Sequence, residues 1–201
     1  MKRTVFILAA LMLFSLAMQA RMPHISYGLE WGYTATFFKH AHYNFICDEG
    51  YRINEKTDTW RYFSNGAVMA NVGVDITRHL NVSAYSGLLG VYSKRWVIPA
   101  ELRLRYCPLG LDASGPLIHA GAAAAFPTST LTDTGARGIL GGGYRLAIYK
   151  SMSVDFLLSL NLTLDHDNIT DPDTKRYVPR SDITSNVSEY CAVNVSVALN
   201  F

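Results

Sequence analysis

Between Ile25 and Phe37 the chain alternates without a break: Ile25, Tyr27, Leu29, Trp31, Tyr33, Ala35 and Phe37 on one side, Ser26, Gly28, Glu30, Gly32, Thr34 and Thr36 on the other. A period of two puts these sets on opposite faces of a β-strand. Strands of soluble proteins usually run about 5 or 6 residues, whereas a strand crossing a bilayer needs about 9 to 11. A thirteen-residue run therefore points to a membrane-spanning strand.

The pattern returns in GAVMANVGVDI, LNVSAYSGLLGVY, VIPAELRLRY, PLIHAGAAAAF, GILGGGYRLAIY, SVDFLLSLNLTL and CAVNVSVALNF, which makes eight runs. No segment between them has a helical period. Residues 77–79, 107–116 and 149–152 read as shorter turns, and residues 38–64, 127–137 and 165–189 as longer polar loops, with 93–96 a short exception. Shorter turns at one end and longer loops at the other are the layout of an outer-membrane barrel. The expected fold is all-β, an eight-stranded antiparallel up-and-down transmembrane β-barrel. Ten strands follow if residues 177–190 add a hairpin. A soluble lipocalin-like barrel is the main alternative, but its apolar face would point inward.

The polar face carries Glu30, Asp75, Glu101, Arg103, Arg105, Arg145, Asp155 and Asp165. Charges of both signs on an inward face must pair, because a lone charge has no water there. Eight strands leave an interior just wide enough for side chains to fill. The expectation is a paired ionic plug, with a narrow gated conductance as its functional rival. The opposite face should form the apolar band, with Trp31, Tyr33, Phe37, Tyr92, Trp96, Tyr144 and Tyr149 near its rims.

Residues 1–20 read as a cleaved signal peptide: Lys2 and Arg3, the apolar run TVFILAALMLFSLAM, then small residues around Ala20. Residues 21–201 are then the barrel domain. Removing the signal leaves sixteen basic and sixteen acidic residues. A mature chain with no net charge and no basic run has no electrostatic footprint for nucleic acid. Three cysteines at wide spacing do not make a disulfide framework or a zinc motif. They read mostly as isolated thiols, although closure of the ring leaves a Cys47–Cys191 bridge across the seam open.

The terminal VSVALNF, with Val197, Leu199 and Phe201 at alternate positions, is similar to the signal by which outer-membrane barrels are recognised for assembly. With IPAELRLRY and GGGYRL before turns, the chain resembles the outer-membrane β-barrel domain family of Bacteroidota, similar in size to small OmpA- and OmpX-type barrels. That resemblance implies a monomer in the outer membrane of a Gram-negative bacterium. Its implied partners are outer-membrane lipids and lipopolysaccharide and the barrel assembly machinery.

Small barrels also include lipid A-modifying acyl hydrolases and transferases, whose chemistry would need a nucleophile and a base near the rim. His40, His42, Ser64 and the Asp165-His166-Asp167 run are the candidates. RYFSNG, residues 61–66, is similar to the Ser-Asn surroundings of barrel-type lipid A deacylases, but Tyr62 stands where those enzymes carry the base. Acyl transfer needs imidazole, orienting acid and hydroxyl together, and nothing in the spacing assembles them. His40 and His42 without further ligands are weak as a metal pair. The expectation is no catalytic residue, no cofactor and no metal. The first loop is read as a hairpin around Glu55 and Lys56 that exposes Tyr51, Trp60, Tyr62 and Phe63, either as an adhesive arm that meets a surface ligand or as a protective, merely solvated loop.

Overall fold

The computed structural model describes residues 24–93, 95–128, 134–149 and 152–201. The expected signal peptide and its cleavage site lie outside these residues. The strands are β1 (Ile25–Ile46), β2 (Arg52–Asp75), β3 (Leu80–Tyr92), β4 (Arg95–Tyr106), β5 (Gly115–Pro127), β6 (Gly135–Tyr149), β7 (Met152–Asp165) and β8 (Ile183–Asn200), with one 3-10 turn at Arg180–Asp182. Each pairs antiparallel with its sequence neighbour, and β8 pairs with β1 to close the ring. Residues 177–190 add no hairpin, because β8 runs unbroken from Ile183.

The alternation decides which way each face points. Tyr27, Leu29, Trp31, Val72, Leu102, Leu140 and Leu160 are exposed on the outside, while Glu30, Asn71, Arg103, Arg137, Asn161 and Asn194 are buried inside. This is the inverse of a lipocalin. Trp96 and Tyr106 mark the two ends of the apolar band on β4. Ten residues of a strand tilted by roughly 40° rise about 25 Å, the height of an outer-membrane barrel's apolar band.

Closure extends to the last residue. The amide of Phe201 donates to the carbonyl of Tyr27 at 2.8 Å, the Tyr27 amide returns a bond at 3.1 Å, and the two rings stack with centroids 5.5 Å apart. Val197, Leu199 and Phe201 thus share the outer side of β8, while Ala192, Asn194, Ser196, Ala198 and Asn200 face inward and are buried.

The expected long loop 38–64 is almost wholly strand. β1 and β2 pair up to Ile46 and Arg52, and β8 follows β1 to Phe45. β2 meets β3 only from Ala67. Three strands therefore rise beyond the rim as a raised sheet. Between Thr36 and Phe38 the ladder to β8 advances one residue and the ladder to β2 three. This bulge shifts the phase of the alternation, so inward residues are even below it and odd above it, where Lys39, Ala41, Tyr43 and Phe45 turn inward. The hairpin tip lies at Asp48–Gly50 rather than at Glu55 and Lys56. Cys47 and Tyr51 are bonded across the tip at 2.9 Å, and Gly50 takes the left-handed φ of 86° that the turn requires.

Residues 166–182 lie against the inner side of this raised sheet. Ile169 is buried with Phe45 and Cys47, and Tyr43, Ile53, Val178 and Ile183 pack around them. The Asp171 carboxylate accepts the amides of Thr174 at 3.0 Å, Asp48 at 3.0 Å and Asp173 at 2.8 Å, which together hold its pKa below the usual carboxylate range. At the opposite end, residues 107–114 fold under the barrel. Leu111 joins Cys107, Leu117, Leu157 and Ala198 in an apolar floor.

The three cysteines are free. Cys191 pairs with Phe38, nine positions along β1 from Cys47. At about 3.4 Å per residue that is some 30 Å, far beyond the reach of a disulfide, so the seam carries no bridge.

Candidate functional site

The lumen is the site that eight polar faces build, and it is organised in layers. In the middle layer Arg103 extends from β4 to Glu30 on β1 at 2.7 Å and to Glu101, its own strand neighbour, at 2.7 Å. Arg137 on β6 reaches the other oxygen of Glu101 at 3.1 Å and donates to Asn161 at 3.0 Å. Glu101 and Arg137 lie two strands apart, each in register with Ala123 of β5. The ion pair passes over that single methyl group. The alanine-rich fifth run, the weakest strand pattern in the sequence, thus provides the room that the guanidinium needs.

A second cluster lies nearer the lower mouth. Arg145 grips Asp155 bidentately at 2.8 and 2.9 Å, the geometry that makes Arg-carboxylate pairs strong. Arg105 reaches the same carboxylate at 3.0 Å, and Asn200 donates to it at 3.0 Å. Tyr85 joins the two clusters. Arg103 stacks over its ring at 4.0 Å, and its hydroxyl oxygen accepts from Arg105 at 2.5 Å.

Of the eight charges expected inside, six thus fall in this linked network: Glu30, Glu101, Arg103, Arg105, Arg145 and Asp155. Asp75 sits at the lower mouth instead, accepting from Asn81 at 2.8 Å with His24 at 3.5 Å. Asp165 belongs to the upper mouth. Arg137 was missed because residues 127–137 read as a loop, and its place after Gly135-Ala136 carries no alternation to expose it. A recess of about 50 Å³ opens at the lower mouth between Asp75, Arg105, Arg145 and Asn200, but the floor around Leu111 stands beside it.

His119 is also buried in the lumen, and neither ring nitrogen has a partner among the described residues. It is held by packing over Gly141, where a Cβ would lie 2.2 Å from its Nε2 and 2.4 Å from the carbonyl of Leu158. Only glycine leaves space for the imidazole there.

Above the charge layers, Ala67, Leu89, Val91, Val97, Ala125 and Tyr190 form an apolar ceiling with Tyr92 packed against it. Tyr92 was expected on the outer rim. It turns inward instead, packed between Phe63 and Tyr190 with ring centroids 4.2 and 5.2 Å away and the rings tilted by 53° and 40°. Phe63 is thereby drawn out of the exposed aromatic set, while Tyr51, Trp60 and Tyr62 remain in it.

The upper mouth is closed by one loop carboxylate. Asp167 accepts from Lys39 at 2.6 Å, Arg95 at 2.5 Å, Tyr43 at 3.0 Å, Ser188 at 2.9 Å and Tyr190 at 2.7 Å. Arg95 also holds Asp165 at 2.6 Å and the carbonyl of His166 at 2.7 Å. Burial pushes the Asp167 carboxyl up, but the Lys39 ammonium, the Tyr190 hydroxyl and Arg95 outweigh it and hold the group at about 2. Lys39 lies 5.5 to 5.8 Å from the rings of Tyr43, Tyr92 and Tyr190. Asp167 is the charged centre of this latch, and Arg95 on the His166 carbonyl, Asp171 on the Asp48 amide and the buried Ile169 hold the rest of the loop to the raised sheet and the rim.

The candidate acyl-transfer residues are not assembled. His40 contacts Asp58 and His42 bonds Asn54 at 3.0 Å, both across to β2 on the raised sheet. Ser64 pairs with Ala35, five positions below His40, about 17 Å at strand spacing. His166 is committed to the carbonyl of Asn186. Among the described residues no three His, Cys, Asp or Glu side chains converge as metal ligands.

No protein-family model matches the chain, and no curated protein matches it by sequence. A solved structure that resembles it is the outer membrane protein AlkL, determined by solid-state NMR in DMPC lipid bilayers. The match covers 86% of this chain and 90% of that one, at 12% identity and a TM-score of 0.41. A likeness at that level says nothing about activity.

Proposed function

We propose that this chain is a non-enzymatic barrel of the outer membrane of a Gram-negative bacterium, related to the small OmpA/OmpX-like barrels of Bacteroidota, with its raised sheet outside the cell. The observation that carries the reading is the division of the wall: apolar residues outside, paired charges inside. In hydrocarbon each backbone donor and acceptor must be bonded within the protein, and a closed ring of strands meets that condition. An outer surface rich in Leu, Val, Ile and aromatics, exposed to water, would be an aggregation surface.

The lumen then acts as a structural plug. Its guanidiniums are tied to carboxylates, its floor and ceiling are apolar, and its upper mouth is latched. These features favour an envelope or surface-interaction role over conductance. The separation of Ser64 from His40, and the commitment of His166 to a backbone carbonyl, weigh against lipid A hydrolysis. Outer-membrane lipid and lipopolysaccharide meet the band, the β8 residues Val197, Leu199 and Phe201 serve assembly, and the raised sheet meets the surface partner.

The test is refolding of residues 21–201 into detergent or vesicles, followed by electrophoresis with and without boiling. A closed barrel should migrate faster unboiled than boiled. Identical migration would contradict the membrane reading.

A further inference from the structure

We infer that the free edge of β2, Asn54–Trp60, is a homophilic adhesive strand that pairs antiparallel with the same segment of a second copy held in an opposing membrane. This rests on the proposed membrane reading and extends it by naming the partner.

The raised sheet has two edges, and they differ. The β8 edge is covered: Asn186 donates to the Asp167 carbonyl at 2.6 Å and its own carbonyl meets the His166 ring. The β2 edge above Ala67 is paired with no strand among the described residues; β3 reaches beside it only as far as Asn65 and Phe63, through Gly90 and Tyr92, and leaves Asn54–Trp60 unaccompanied. Such an edge is a template for another strand unless it is blunted. No proline interrupts residues 52–66, and the bulge near Arg61 and Tyr62 limits the regular segment to residues up to Trp60. From the β1 side, His40 contacts Asp58 and His42 bonds Asn54, so the strand is braced before any partner arrives.

Charge selects both the partner and the register. Antiparallel pairing about Thr57 puts Lys56 opposite Asp58 twice, Glu55 opposite Thr59, Asn54 opposite Trp60 and Thr57 opposite itself. Opposite charges facing each other across a pair of strands stabilise it, and like charges do the reverse. Centring instead on Asp58 opposes two aspartates, and centring on Lys56 opposes two lysines. A half-step toward Lys56 sets Glu55 against Asp58, and a half-step toward Asp58 leaves no ion pair at all. Lys56, Asp58 and Trp60 are all exposed, with the Asp58 side chain at 62% and Trp60 at 73%.

Strand direction then selects the membrane. Two copies in one membrane carry β2 in the same sense relative to the bilayer, whereas antiparallel pairing needs opposite senses. Copies facing each other from apposed membranes supply that reversal. Each contact is short, so adhesion depends on many copies acting together.

The experiment mixes two dye-labelled vesicle populations carrying the folded full barrel and measures their co-clustering. Wild-type vesicles should cluster. Lys56→Asp vesicles and Asp58→Lys vesicles should each fall to the level of protein-free vesicles when alone, because each opposes like charges. Mixing the two variants should restore clustering, since every opposed pair is then Asp with Lys. Unchanged clustering of either variant alone, or no clustering of wild type that retains its unboiled gel shift, would overturn the inference. A wild-type chain with no gel shift in vesicles would overturn the membrane reading and this inference with it.

Discussion

Glu101 is the residue on which the lumen network turns, since one carboxylate serves both Arg103 and Arg137. Removing one member of a buried ion network leaves its partners charged and dry, at a cost of about 3–5 kcal/mol. Glu101→Ala should therefore lower the unfolding free energy by roughly that amount, read from urea denaturation in vesicles, whereas Ser196→Ala, which removes one hydroxyl bond to the Glu30 carboxylate, should cost only about 1.5–2 kcal/mol. Asp167 behaves differently with pH. Its folded pKa of about 2 lies below the roughly 3.9 of an unfolded aspartate, so its contribution is fully present above about pH 4 and is lost as pH falls through about 2. Hydrogen exchange in residues 166–182 should show unchanged protection between pH 5 and 8 after correction for the intrinsic rate. Asp167→Asn should raise tryptic cutting at Lys175 and Arg176 at least tenfold, as expected if about 1.4 kcal/mol or more of latch energy is lost. At this scale the sequence was partly legible. Inward charges could be assigned from strand parity, and six of them form the network. Arg137 and His119 could not, because Gly135, Ala136 and the alanines of β5 carry no facial contrast, and the environment of both residues is made by other strands.

Among the elements, β3 to β7 follow the alternation closely because one face meets apolar surroundings and the other a polar lumen. The upper parts of β1, β2 and β8 obey no such contrast. Above the rim both faces are amphipathic, and the bulge between Thr36 and Phe38 shifts the phase, so a pattern read from Ile25 ends at Phe37 although the strand continues to Ile46. The same shift turns Lys39 inward to the Asp167 latch. Residues 38–64 consequently read as a loop. The raised sheet stands above the ring rather than within it, so deleting residues 45–53 and joining the strands with a short turn should leave the unboiled gel shift intact. Loss of the shift would mean that the ring depends on the raised sheet.

For the whole molecule, closure, strand number and the inside-out division of the wall were all readable from period, run length and inward charge. The latch was not, because it joins Lys39, Arg95, Asp167 and Tyr190 from four separate parts of the chain. The depth of the barrel in a bilayer is sampled by the three tryptophans: Trp31 within the apolar band, Trp96 at its upper rim and Trp60 on the raised sheet. The direct measurement is fluorescence of single-tryptophan variants in vesicles with bromine on the lipid acyl chains. Quenching should be strongest for Trp31, weaker for Trp96 and absent for Trp60, which aqueous iodide should quench instead. Equal quenching of Trp60 and Trp31 by the brominated chains, or iodide access to Trp31, would contradict the account.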